Sequence, residues 1–332
     1  SSKFLYKDST LKLARIYRNG YGTKVNYKEM EKLLTLSADS GNSDAQIELG
    51  ELYKEGKILQ KNISKAVYYI KLSAEQKTPK AEFFLANLYR NGIGLPKSSA
   101  LAAKYFKRAA KQGHVKSQFI IAKMLSNGTE IKANYSEAEY FYTLAAKSKH
   151  LLAQYELAKM YDLGNKLEQN YKKAIKFYKI AANRGHLQSQ INLANLYMNG
   201  LGTNTNFEKA AKWYEIASRK GSSNAQFILA TMYEKGLGVD QDFKISSNYY
   251  LQAAKQGNIK AQINLGVIHV HGENTIQDYI RAHMWFNVAA AQGSDLGRKY
   301  RNKLSERMDL KDISEAQSLA RTCMEKSYIN CE

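Results

Sequence analysis

The stretch Ser189-Gln190-Ile191-Asn192-Leu193-Ala194-Asn195-Leu196-Tyr197-Met198-Asn199-Gly200-Leu201-Gly202, continued by Asn206-Phe207-Glu208-Lys209-Ala210-Ala211-Lys212-Trp213-Tyr214-Glu215-Ile216-Ala217-Ser218, decides the fold. It reads as two helices with a glycine between them. Ala210, Trp213, Tyr214, Ala217 and Ser218 fall at helical spacing and make one apolar stripe. Gly200 stands where a helix ends and a residue with positive φ is wanted. Asn206 precedes the second helix as a side chain able to accept from the free amides of its first turn.

The same pattern recurs along the chain. Gly20, Gly56, Gly92, Gly128, Gly164, Gly200, Gly236 and Gly272 are spaced by 36 residues, with tyrosine three residues earlier in six of the eight units. A small residue followed by Gln or Glu marks the same phase at Ala45-Gln46, Ala81-Glu82, Ser117-Gln118, Ala153-Gln154, Ser189-Gln190, Ala225-Gln226 and Ala261-Gln262. Capping residues recur too: Asn26, Asn62, Ser98, Asn134, Asn170, Asn206, Asp242 and Asp278. A lone hairpin of this kind cannot bury its apolar face, so the units must stack. The expected fold is all-α, a right-handed superhelical α-solenoid of about eight 36-residue helix-turn-helix repeats over 1–294, closed by capping helices over 295–332. Within that cap, Leu304 to Met308 and Ile313 to Met324 read as a helical pair. The second glycine of the turn is lost at Ile58, Glu130, Lys166 and Asn274, where a different turn shape is expected. Lys77 and Lys149 replace the glycine between repeats seen at Gly113 and Gly185.

These residues resemble the Sel-one-like repeat, a relative of the tetratricopeptide repeat. The resemblance covers about residues 10 to 294, and Arg281-Ala282-His283-Met284-Trp285-Phe286 with Ala289-Ala290 is similar to the last repeat of bacterial members. It implies a concave face lined by the first helices and an adaptor or scaffold role. Resemblance to exported bacterial members, including Legionella virulence factors, implies export and engagement of host proteins. Cysteine-rich members place paired cysteines eight apart. Cys323 and Cys331 match that spacing in the cap, which implies a disulfide.

Composition narrows the classes. The 50 basic and 30 acidic residues leave a net charge of +20, which draws acidic proteins, phospholipid headgroups or nucleic acid. Genomic bias toward AT explains Lys in place of Arg but not the deficit of acids. Two prolines in 332 residues, Pro79 and Pro96, suit an all-helical chain. No apolar run approaches the roughly 18 residues of a membrane span. The chain opens at Ser1 without Met, as a processed or trimmed protein would, and two thiols near its end fit an oxidising compartment. Export to the periplasm, cell surface or medium is what the resemblance to exported bacterial members implies.

No catalytic motif is present: there is no Gly-x-Ser-x-Gly elbow, no phosphate-binding Gly-x-x-x-x-Gly-Lys and no His-Glu-x-x-His. No cofactor and no metal are expected. His114, His150 and His186 lie 36 apart. Equivalent residues of stacked helices are separated by about 8–10 Å, too far to share a zinc whose nitrogens sit at about 2.0–2.1 Å. They read instead as polar residues where first helices begin. His269, His271 and His283 are a weaker candidate metal set.

Binding is expected on first-helix positions outside the core between repeats. One ladder is Arg15, Glu51, Asn87, Lys123, Lys159, Asn195, Thr231 and Val267; a second is Arg18, Lys54, Arg90, Ser126, Asp162, Met198, Glu234 and Val270. A third, from Leu11 through Phe119 to Ile263, is apolar in every unit and reads as packing. Asn87, Asn192, Asn195 and Asn264 suit the backbone of an extended peptide, Arg90, Lys123 and Lys159 its acidic side chains, and Arg15 is a further partner-binding candidate of the same face. A monomer that binds an acidic or extended protein segment is expected first, with nucleic acid an unlikely partner. Binding of anionic, phosphoinositide-like membrane headgroups and a cell-wall-associated enzyme are the alternatives.

Overall fold

A computed structural model of the chain describes residues 2–272, 277–328 and 331, with side chains from residue 8 onward. Asn274, one of the lost glycine positions, lies outside the described residues. All regular structure among those described is helical, in two compact units, Ser1–Glu168 and Gln169–Glu332. The first holds α1 (Ser2–Asn19), α2 (Tyr27–Asp39), α3 (Ser43–Glu55), α4 (Ile63–Glu75), α5 (Pro79–Asn91), α6 (Ser99–Lys111), α7 (Val115–Asn127), α8 (Tyr135–Lys147) and α9 (Leu151–Leu163). The second holds α10 (Tyr171–Asn183), α11 (Leu187–Asn199), α12 (Phe207–Arg219), α13 (Ser223–Lys235), α14 (Phe243–Ala254), α15 (Ile259–His271), α16 (Tyr279–Ala291), α17 (Asp295–Ser305) and α18 (Leu310–Glu325). Within each unit a repeat's two helices pack on each other, and the second packs on the first helix of the next repeat. The chain is an α-solenoid of tandem 36-residue helical hairpins.

Local chemistry sets the helix ends. Every second helix from α2 to α16 opens at the expected Asn, Ser or Asp, whose side chain accepts the amide three residues on, as in Asn206 with Lys209 N at 2.8 Å. Each such cap contributes about 1 kcal/mol. First helices end on a left-handed glycine, Gly200 with φ 66°. The second glycine answers to packing. A Cβ on Gly202 would lie 2.5 Å from Tyr171 Cβ at the start of the preceding repeat's second helix. Where that glycine is lost, Ile58, Glu130 and Lys166 do not adopt positive φ, so these turns do differ in shape. Lys77 and Lys149, by contrast, keep the left-handed conformation of the glycines they replace, at φ 57° and 60°.

The Gln that marks the repeat has a structural task. Gln46 Nε2 donates to the Ala38 carbonyl at 2.8 Å, and Gln118, Gln154, Gln190, Gln226 and Gln262 repeat this bond to the residue eight before them. It satisfies a carbonyl left over at the end of the preceding helix. The small residue beside each Gln is fully buried, so helices approach closely there.

The cap departs from the expected boundaries. Its first helix, α17, begins at Asp295, capped by Ser294 in the same phase as the earlier first helices, and ends at Ser305. Leu304 to Met308 therefore straddles a helix end and is not a helix of its own. Gly297 lets α17 sit close to α16: a Cβ there would meet Ala289 Cβ at 2.9 Å. The second cap helix, α18, buries Ala316, Ala320 and Cys323, and Cys323 is disulfide-bonded to Cys331 across a Cα separation of 4.6 Å. Both sulfurs lie in the cluster formed by Trp285 and Tyr250.

Candidate partner-binding face

In the first unit the expected cations divide into two kinds. Arg15 and Arg18 both bind Glu48 at 2.9 Å, and Arg90 grips Glu130 through two bonds of 2.9 and 2.6 Å. Asn87 Nδ2 turns back to the Phe83 carbonyl of its own helix at 2.8 Å. Lys123 is exposed and Lys159, half-buried, extends over the Tyr155 ring at 5.9 Å; neither has an ion pair among the described residues. Between them lies a cleft of about 350 Å³ whose walls include Ser126, Tyr142 and Lys166.

Glu130 and Lys166 were not among the expected site residues. Each occupies the lost-glycine position of its turn and reaches back 40 residues, Glu130 to Arg90 and Lys166 to Ser126, whose carbonyl and hydroxyl accept at 2.8 and 3.0 Å. The signal was present in the sequence as a matched pair of departures, one on the turn and one on the preceding first helix.

In the second unit the amides are engaged from below by buried tyrosines. Tyr178, Tyr214 and Tyr250 are fully buried, 36 apart, as is Tyr142 in the first unit. Asn192 Nδ2 donates to the Tyr178 hydroxyl at 2.8 Å while its Oδ1 accepts from Gln188. The Tyr214 hydroxyl donates to Asn195 Oδ1. The Tyr250 hydroxyl donates to Glu234 at 2.5 Å and bonds Thr231 and Asn264. Burial, above all, holds the Tyr142, Tyr214 and Tyr250 phenols above their ordinary range, so they remain neutral donors. Sequence periodicity placed Tyr214 in an apolar stripe; its hydroxyl instead organises the polar residues of the face above.

The apolar ladder packs as expected: Leu11, Ile47, Ile191 and Ile263 are buried, and the Phe83 and Phe119 rings lie 4.7 and 4.5 Å from the His114 and His150 rings. The histidines cap first helices. Nδ1 of His114, His150 and His186 accepts the amide of Ser117, Ala153 and Ser189 at 3.2 Å in each case. His283 is buried and pairs through Nε2 with Ser305 at 3.0 Å; no metal-holding group of His, Cys, Asp and Glu occurs among the described residues. No described helix is long and apolar enough to cross a membrane.

Comparison with known proteins agrees with this architecture. No curated protein matches the chain. The structure is similar to c5321, a protective antigen present in uropathogenic Escherichia coli strains and displaying an SLR fold, with 27% identity and a TM-score of 0.72 over 98% of this chain and 70% of that one. It is also similar to a Sel1 repeat protein from Oxalobacter formigenes, with 25% identity and a TM-score of 0.65 over 90% of this chain and 86% of that one. The Sel1 repeat matches eight consecutive segments, 8–42, 43–77, 79–114, 115–150, 151–186, 187–222, 223–258 and 259–294. With eight repeats matched in register with its helices, the chain belongs to the Sel1 repeat family, a class of non-enzymatic repeat scaffolds.

Proposed function

We propose that this protein is a scaffold whose first-helix face in the first unit docks an acidic, extended segment of a partner protein, with Lys123 and Lys159 as the principal contacts. The observation that carries this reading is selective neutralisation. Arg15, Arg18 and Arg90 of the same ladders are ion-paired to internal carboxylates, whereas Lys123 and Lys159, on consecutive repeats, have no ion pair among the described residues and flank a cleft that Glu156 also lines. Extended acidic side chains meet such ammoniums at little desolvation cost, and the surrounding field speeds encounter. Asn195, whose Oδ1 is taken by Tyr214, keeps its amide hydrogens for a partner's carbonyl on the second unit. The bacterial neighbours and the Cys323–Cys331 pair support an exported protein acting on partners outside the cytoplasm, host proteins among them.

The test pairs two double variants. Lys123→Glu with Lys159→Glu is expected to weaken capture of the protein partner by about tenfold to a hundredfold, as loss of charged interface contacts does, with helicity and melting temperature nearly unchanged. Lys172→Glu with Lys173→Glu, exposed on the second-helix side, is expected to leave capture intact. Full partner affinity in the first variant, or anionic-liposome binding lost equally in both, defeats the scaffold reading in favour of a headgroup binder.

A further inference from the structure

The face has a distinct end. In the second unit its floor changes where the fully buried tyrosines give way to Phe286, which occupies on α16 the place that Tyr214 holds on α12 and Tyr250 on α14. The ladder residues above it change with it: Val267 and Val270 of α15 stand where Asn195 and Glu234 stand in earlier repeats. The polar network that ties tyrosine hydroxyls to the face is thus replaced by carbon. The ninth helix of the series, α17, supplies the far wall through Tyr300 and Leu304, and the result is a pocket of about 330 Å³.

Its rim is cationic. Lys303 occupies the next rung of the Val267 ladder, Arg307 follows in the turn after α17, and His271 also lines the pocket. No carboxylate is among the described residues lining the pocket, and Lys303 and Arg307 are exposed without an ion pair among those residues. An apolar floor under two free cations fits one kind of group. It takes a single large apolar side chain whose own residue carries a carboxylate within reach of the rim.

We infer that this pocket is the anchor site for the C-terminal residue of a partner chain, binding a large apolar side chain against Phe286 and its α-carboxylate against Lys303 and Arg307. The volume accommodates one such side chain, and the pocket lies at the capped end of the second unit's series of first helices. The inference rests on the scaffold reading and adds a contact on the second unit: the partner's C-terminus lies at its capped end. A free fatty acid would present similar chemistry but has no reason to extend along the face.

The experiment uses the full chain and acetylated glycine–serine pentapeptides ending in phenylalanine, as free acid or C-terminal amide, titrated by ligand-observed NMR at physiological salt. The free acid is expected to bind about tenfold more tightly than the amide, a difference of one charge-assisted contact, and a peptide ending in glycine to bind about tenfold more weakly. Lys303→Gln with Arg307→Gln is expected to reduce the acid-to-amide preference to about twofold with helicity unchanged, while Lys172→Gln with Lys173→Gln preserves it. Equal binding of acid and amide, an undiminished preference in the Lys303/Arg307 variant, or binding of decanoate without binding of the peptide overturns the assignment. No acid-over-amide preference in the wild-type chain, alongside a partner still sensitive to Lys123 and Lys159, rejects the anchor site and retains the scaffold.

Discussion

Replacing Glu82 with glutamine is expected to stabilise this protein at neutral pH. Glu82 has no solvent exposure and occupies the position where the other repeats use Gln to bond the carbonyl eight residues earlier. An ionised carboxylate has no hydrogen to give the corresponding Ala74 carbonyl. Compensation comes from Arg108, at 2.6 Å, and from Gln112 Nε2, at 2.8 Å. Burial nonetheless prevails, and the Glu82 carboxyl is held above its ordinary value, with Arg108 working in the opposite direction. A raised carboxyl pKa favours the folded state below the ordinary value of 4.5 and loses that contribution as pH rises through the folded value. The glutamine recovers one buried hydrogen bond, about 1 kcal/mol, and removes a buried charge. It forfeits the ion pair with Arg108, but that guanidinium is 39% exposed and is left to water rather than stranded in the core. The net gain at pH 7 is about 1–2 kcal/mol, or a rise in melting temperature of about 2–8 °C if one unit melts cooperatively. Calorimetric melts of wild type and Glu82→Gln between pH 4 and 8 check this, and the gain must shrink toward pH 4. The reverse change, Gln118→Glu, places a buried acid where Leu144 stands in the phase of Arg108, and is expected to cost about 1–3 kcal/mol. A lower melting temperature for Glu82→Gln at pH 7, or a difference that does not vary with pH, would refute the reasoning.

The His114 cap makes an acid-sensitive contribution. Burial first, and Lys116 second, hold its imidazole below the ordinary 6.5, so the cap is intact above that value and is lost as pH falls beneath it. His114→Asn, which copies Asn42 and Asn258 in the same phase, is expected to match wild type at pH 7.5 and exceed it by about 0.5–1 kcal/mol at pH 5, as read by chemical denaturation. Opening the Cys323–Cys331 loop with reductant is expected to cost about 2–3 kcal/mol in the second unit, since eight residues separate the cysteines. Thermal melts with and without a phosphine reductant measure the loss, and mass spectrometry of the native protein under non-reducing conditions must show the bond. Two free thiols there would count against both the bond and the oxidising compartment.

Much of the hairpin was legible because its determinants are local. A glycine at φ 66° in position 200, an Asn side chain accepting three residues ahead and apolar residues at helical spacing are properties of a dozen consecutive residues, and 36-residue repetition multiplies the signal. The histidine caps at His114, His150 and His186 were legible for the same reason. The extent of α17 was not, because Arg298 stands where the repeat has Gln and the helix carries the most polar sequence of the series.

The sequence by itself determined the register, helix boundaries through the eighth repeat and the polarity of each face, since all follow from spacing along one chain. Tertiary structure alone decided which polar residues remain available to a partner. Arg90 and Lys123 are equivalent on paper, one turn of a helix apart in their ladders, yet Arg90 is held by a carboxylate 40 residues away and Lys123 is not. Likewise Asn192 and Asn195 belong to tyrosines from different hairpins. Such pairings depend on distances between helices, which residue spacing does not encode. A side chain's capacity to bind is what remains after its neighbours in space have taken their share.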